Sequence, residues 1–181
     1  MLLGYNLIIY DNKFSMYRNL KLDQCERYKN IYEINKIDPS IKIKTRKYIS
    51  CTYDNFTIVS KKFKKFCEGE KYEGLEFVLL PNSQGFYWFK IYNTLEIDTE
   101  DKGIRFINYD EECEGYEEII GPFPVHLRVK ELISDGFFRS NLCFGSFESK
   151  SPLELIGIET KKKLKGAGFN VDCREVHDKY K

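Results

Sequence analysis

Side chains suited to acid–base or nucleophilic chemistry are scarce in this chain. Its two histidines are His126 and His177. Cys143, followed by Phe-Gly-Ser, has the most turn-like setting among the cysteines. A cysteine nucleophile needs a histidine partner and a lowered thiol pKa. A small enzyme using Cys143 with His126 or His177 is therefore an alternative, whereas our first expectation is a protein with no catalytic residues.

Cysteine spacing gives little support for a metal site. Cys173 and His177 have a spacing that can supply half of a zinc site, but the sequence contains no Cys-x-x-Cys pair to complete it. The cysteines are spread over the whole chain rather than clustered in a short framework. They are Cys25, Cys51, Cys67, Cys113, Cys143 and Cys173. We expect free thiols, no metal and no cofactor.

The absence of known motifs and targeting signals excludes further classes of protein. The chain has no Gly-x-Ser-x-Gly elbow, no His-Glu-x-x-His pair and no phosphate-binding glycine loop. The first residues, Met-Leu-Leu-Gly-Tyr-Asn, do not read as a signal peptide. No apolar run approaches the roughly 18 residues that a membrane helix needs. We expect a cytoplasmic protein that does not contact a membrane.

Charge is more informative than any single residue. The 181 residues carry a formal net charge of +1, but the stretch 96–118 holds ten acidic residues against Lys102 and Arg105, a net charge of −8. Such a surface attracts basic partners and raises their association rates, and an aromatic side chain beside it can anchor an interface. The predicted partner-binding residues are Asp98, Asp110, Glu111, Glu112, Glu114, Tyr116, Glu117 and Glu118.

Lysine-rich segments provide an alternative binding surface of the opposite, positive charge. Four lysines lie within 61–65 and four within 161–165. They could contact phosphate groups, which keeps a nucleic-acid-binding module as another alternative. Lysines on the outer face of a short helix more often serve solubility, and the charge of the whole chain is nearly balanced. We do not expect direct nucleic-acid binding.

Hydrophobic patterning predicts the elements that position these residues. Aromatic and β-branched runs at 5–10, 75–80 and 85–92 indicate strands, and alternating isoleucines in 30–47 suggest two strands around a turn. Ser60 followed by Phe63 and Phe66 predicts a short amphipathic helix. We therefore predict an α+β fold, mainly an antiparallel β-sheet with a few short helices.

A weak internal similarity suggests duplication. The segments 57–80 and 155–173 each read as an apolar strand, a lysine-rich helix, a glycine-bearing turn and a second strand. We predict a single domain over 1–181, with two related halves, about 1–95 and 96–181, as the finer alternative.

Several short motifs resemble a known family. The aromatic run 87–93 ending in Asn93, the following acidic stretch 95–98, the Phe-Phe-Arg-Ser element at 137–140 and the closing strand, helix, glycine and strand are similar to small bacterial immunity-type proteins of polymorphic toxin systems. Related duplicated families carry Cys-x-x-Cys-Gly zinc ribbons, whereas here Cys51 and Cys143 occur singly.

The resemblance implies a non-enzymatic binding protein that neutralises a cognate toxin. Its partner would be a basic protein, such as a nuclease toxin, whose active site it covers. The acidic segment supplies a physical route, because carboxylates can imitate the phosphates that a nuclease groove binds.

Overall fold

The computed structural model describes residues 1–100, 103–121, 124–128 and 132–177. Within these ranges the chain forms strands and three short α-helices, and all pairings between named strands are antiparallel except that of β6 with β9. The predicted α+β fold is confirmed. The strands are β1 (Leu2–Ile8), β2 (Ile49–Cys51), β3 (Thr57–Ser60), β4 (Leu75–Leu79), β5 (Phe86–Ile91), β6 (Thr94–Leu95), β7 (Arg105–Asp110), β8 (Gly115–Ile120), β9 (Phe137–Ser146), β10 (Ser151–Ile156) and β11 (Asp172–His177). The helices are α1 (Ile31–Ile34), α2 (Lys61–Gly69) and α3 (Ile158–Gly166).

The strands are divided between two sheets. The larger sheet has the order β11-β1-β10-β9-β8-β7, with β6 added against β9, and the smaller has the order β2-β3-β5-β4. Within the described residues, β7 pairs with β8 alone and is an edge strand. The acidic residues of 110–118 therefore lie at one end of the larger sheet.

Two strand–helix–strand units have the same layout. In one, α2 connects β3 to β4, and β5 lies antiparallel between those strands. In the other, α3 connects β10 to β11, and β1 lies antiparallel between them. The sequence similarity between 57–80 and 155–173 thus corresponds to two strand–helix–strand connections. In each, a third strand lies between the two strands that the helix connects.

Local sequence explains α2 and its sheet. The Ser60 hydroxyl accepts a hydrogen bond from the Phe63 amide at 3.3 Å, which caps the first turn. Phe63 is fully buried, and its ring lies 5.7 Å from that of Phe89 in the smaller sheet and 5.9 Å from that of Phe137 in the larger. One helix therefore joins the two sheets in a common apolar cluster, to which α3 contributes Leu164.

The segment 30–47 does not form the two strands predicted for it. Asn30 and Glu33 form a reciprocal capping box that starts α1, and Asn35 ends the helix in the left-handed region at φ 48°. Ile41 and Ile43 are buried on alternate positions, but their backbone groups bond the Ser83 hydroxyl instead of a neighbouring strand. The Ser83 hydroxyl thus takes the place of the neighbouring strand that an alternating apolar pattern normally indicates.

No helix within the described ranges is long and apolar enough to cross a bilayer.

A disulfide joins Cys25 to Cys113, so the expectation that all cysteines are free thiols is wrong for this pair. Cys51, Cys67, Cys143 and Cys173 are free. The disulfide removes one argument for cytoplasmic residence, which stays a prediction.

Candidate functional site

The β7–β8 hairpin gathers most of the predicted acidic residues. Strand β7 ends at Asp110, the turn spans 111–114, and β8 returns with Tyr109 opposite Tyr116 and Asp110 opposite Gly115. Glu114 adopts φ 51°, in the left-handed region used by tight turns. We call Asp110, Glu111, Glu112 and Glu114 the acidic tip.

Three of the four carboxylates of the acidic tip face solvent, and Asp110 is half-buried. Glu111, Glu112 and Glu114 are exposed, and Asp110 accepts a hydrogen bond from the Cys113 amide at 2.8 Å, which closes the turn. None of the four forms an ion pair with another described residue. Their negative charge is therefore available to a partner, apart from ordinary screening by salt.

Glu117 and Glu118 occupy successive positions on β8 and so lie on opposite faces. Glu117 accepts a hydrogen bond from the Asn108 side chain at 3.0 Å, within the hairpin. Glu118 accepts one from the Ser146 hydroxyl of β9 at 3.1 Å. Glu117 therefore extends the charge of the acidic tip along the hairpin, whereas Glu118 also connects β8 to the sheet.

Asp98 does not belong to this surface. Only 7% of Asp98 is exposed, and its backbone amide donates to the His126 carbonyl at 3.1 Å. Its carboxylate accepts from the Glu100 amide at 3.2 Å. A buried side chain committed to the local backbone is not accessible to a protein partner, so the exposed surface consists of the other predicted residues.

Aromatic side chains flank the acidic tip. The ring of Tyr116 lies 5.0 Å from that of Phe106 and 4.9 Å from that of Tyr109. Asn108 has φ 50°, which interrupts the alternation of β7 and lets both β7 rings reach Tyr116. Phe106 and Tyr109 are 42% and 53% exposed. Large aromatic rings with this exposure are typical anchors of protein interfaces.

Long-range contacts hold the hairpin to the body of the protein. The Cys25–Cys113 disulfide ties its turn to the short 3₁₀ helix Glu26–Tyr28. The buried Lys150 ammonium donates to the Tyr116 carbonyl at 2.7 Å, and burial lowers the pKa of Lys150. Partial burial, and then the charges of Asp110 and Glu117, raise the pKa of Tyr28. These contacts thus hold the acidic tip in a fixed position on the body of the protein.

The structure places Cys143 in an unfavourable setting for a nucleophile. It is buried on β9, and this burial raises the pKa of its thiol to about 12. His177 lies on β11, three strands away, so at ~4.8 Å per strand the two strands alone are separated by about 14 Å. His126 lies between the buried Val125 and Leu127. No group of three metal-ligating side chains occurs within the described parts of the chain.

Many of the predicted basic side chains already have partners in the protein. The Lys163 ammonium lies 3.0 Å from Glu70 and 2.6 Å from Asp135. Lys64 pairs with Glu68, and the ammonium of Lys161 lies 3.6 Å from the centre of the Tyr5 ring. A phosphate contact by these lysines would compete with existing ion pairs and cation–π contacts.

Glu154 was not among the predicted site residues. It lies on β10, is 9% exposed, and accepts a hydrogen bond at 2.5 Å from the Thr57 hydroxyl of β3 in the other sheet. Burial raises the pKa of Glu154 to about 7, against the opposing effect of the Thr57 hydrogen bond. The available sequence signal was an acidic residue between leucines in an otherwise apolar strand.

No family model, curated protein or solved structure matches this chain.

Proposed function

We propose that this protein is a non-enzymatic inhibitor of the immunity type, which neutralises a cognate bacterial toxin by binding it through the β7–β8 hairpin. The observation that supports the proposal is the acidic tip: four carboxylates at the end of one hairpin, three of them exposed and none in an ion pair with a described residue, beside the exposed rings of Phe106 and Tyr109. The partner would be a basic protein, for which a nuclease with a phosphate-binding groove is the best chemical match.

The hairpin combines two properties that such binding needs. Its charge accelerates encounter with a basic surface, an effect that falls as salt rises. Its aromatic rings supply area that can be desolvated at the centre of the interface, within a charged rim. Because the disulfide and Lys150 hold the hairpin in place, little ordering would accompany binding, which favours affinity.

The test is a charge reversal of the acidic tip. Asp110, Glu111, Glu112 and Glu114 are changed together to lysine, and the variant is compared with native protein for binding to the toxin encoded beside its gene. We expect loss of measurable binding and of protection from the toxin, with unchanged circular dichroism. A matched control reverses four exposed acids elsewhere, Asp11, Asp23, Glu73 and Asp172.

The control should bind nearly as well as the native protein, since it carries the same change in net charge away from the hairpin. Equal binding by the acidic-tip variant and the native protein would refute the proposal, as would equal losses in the two variants. The native association rate should also fall as salt increases, and the variant's should not.

A further inference from the structure

An open cleft of about 280 Å³ lies beside the start of β11. Its walls come from the end of β1, the start of β2 and the segment 168–172. Half-buried apolar side chains, Ile9, Ile49 and Val171, line it together with the Tyr48 ring, which is 40% exposed. A cavity of about 150 Å³ is enough to hold benzene. The cleft is therefore large enough to receive an aromatic side chain.

Exposed lysines surround this cleft. Lys47 lines it, and the Lys62 ammonium lies 4.6 Å from the centre of the Tyr48 ring. Lys165 lines an adjoining cleft that shares the segment 169–172. None of these three lysines forms an ion pair with a described residue, and an ammonium that lies over a ring keeps N–H donors for a further acceptor. We call the cleft and its three lysines the basic cleft.

The basic cleft and the acidic tip are complementary in charge. The stretch 96–118 carries −8 and the whole chain +1, so the remaining residues carry +9. Three exposed carboxylates of the acidic tip, Glu111, Glu112 and Glu114, oppose the three lysines of the basic cleft in sign and equal them in number. Among the residues that line the two adjoining clefts, Asp172 is the single carboxylate. The acidic tip is thus a chemically suitable ligand for the basic cleft.

The two surfaces are also complementary in shape. The hairpin projects the ring of Tyr109, 53% exposed, next to the carboxylates of the acidic tip. The basic cleft has apolar walls inside its ring of lysines. An exposed aromatic ring within a charged rim is the usual arrangement at the centre of a protein interface.

Within one chain the two surfaces do not meet. Strands β7 and β11 lie at opposite ends of the larger sheet, five strand spacings apart, which at ~4.8 Å each is about 24 Å along the sheet. No residue of the acidic tip lines the basic cleft. A contact between them therefore has to join separate copies.

We propose that the basic cleft binds the acidic tip of a second copy of this chain. The carboxylates of Glu111, Glu112 and Glu114 lie against the three lysines, and the exposed side of the Tyr109 ring packs on the apolar walls. Because the two surfaces differ, the contact is head to tail, and each added copy leaves one tip and one cleft open. The proposal uses the acidic tip but does not depend on the proposed function.

The experiment measures the mass of the intact protein in solution by sedimentation equilibrium. We expect the average mass to rise above the 21.5 kDa of one chain as protein concentration increases at about 20 mM salt, and to return to it at about 0.5 M, where charges are screened. Tyr109→Ala should weaken association at low salt, since it removes the ring but no charge.

Two neutralised variants identify the surfaces. One carries Glu111, Glu112 and Glu114 changed to glutamine, and the other carries Lys47, Lys62 and Lys165 changed to glutamine. Each should be monomeric alone. Their mixture should form a dimer and nothing larger, because it contains one intact tip and one intact cleft for each pair.

A matched control changes three exposed lysines elsewhere, Lys21, Lys42 and Lys71, to glutamine. It carries the same net charge as the cleft variant and should associate as the native protein does. Circular dichroism of every variant should be native, since all the changed lysines and glutamates are exposed.

Three outcomes would overturn the proposal. They are a native protein that stays monomeric at low salt, a cleft variant that associates as the control does, and a mixture of the two neutralised variants that stays monomeric or grows beyond a dimer. Toxin binding by a protein that never self-associates would refute this inference and leave the proposed function intact. Self-association without toxin binding would do the reverse.

Discussion

Cys25 and Cys113 are joined by a disulfide across 88 positions of sequence, with their Cα atoms 4.8 Å apart. One partner precedes the 3₁₀ helix Glu26–Tyr28 and the other lies in the turn of the β7–β8 hairpin. A single covalent bond thus links the first third of the chain to the edge of the larger sheet, within the turn that carries the acidic tip.

Removal of this bond should destabilise the protein. Closing a long loop lowers the conformational entropy of the unfolded chain, so the Cys25→Ser, Cys113→Ser double variant should lose about 2–4 kcal/mol of unfolding free energy. Urea unfolding with and without reductant measures the effect. Native protein should weaken on reduction, whereas the double variant should not respond; a response of both would assign the loss to another cysteine.

Stability should decline with rising pH because of Glu154. Burial raises its folded-state pKa from 4.5 to about 7, so between these values the folded protein holds a proton that the unfolded chain releases. Unfolding free energy therefore falls by about 3 kcal/mol across this window, and no further above it. Unfolding in urea at pH 4.5 and pH 8 tests this, and Glu154→Gln should remove that part of the decline.

Tyr109 should contribute to partner binding far more than to stability. Its side chain is 53% exposed on the edge strand β7 and pairs with the Tyr116 ring, so Tyr109→Ala should lower the unfolding free energy by only about 0.5–1 kcal/mol. If the hairpin is the interface, the same change should cost on the order of 2 kcal/mol in binding. Tyr53→Ala, at another exposed ring, is the control; a similar cost at both positions would exclude a specific anchor.

The N-cap positions of α2 and α3 should respond in opposite ways to a capping serine, which should favour folding at the first position and oppose it at the second. Ser60 caps α2, whereas Gly157 precedes α3, and a Cβ there would lie 2.6 Å from backbone atoms of Ser134 and Asp135. Gly157→Ser should therefore destabilise by about 1–3 kcal/mol, despite adding a residue that caps helices well. Ser60→Gly should cost only a few tenths. Thermal unfolding of both variants checks the contrast, and a stabilised Gly157→Ser protein would contradict it.

Local patterns were sufficient for several elements. The cap at Ser60 and the spacing of Phe63 predicted α2, and the aromatic run at 85–92 predicted the strand that forms β5. The density of acids in 110–118 also predicted a charged surface. These features depend on neighbours within one turn of helix or on the alternation of a strand, so short stretches of sequence contain the information.

Other features depended on contacts between distant residues. Segments that are distant in sequence meet in the folded protein to bury Asp98 and Glu154, to pair Cys25 with Cys113 and to place the Ser83 hydroxyl between Ile41 and Ile43. The same carboxyl is solvated on a turn and desolvated between sheets, and its neighbours in sequence do not distinguish these environments. Residue types therefore predicted which chemistry is present, while packing assigned each group its exposure, partners and charge.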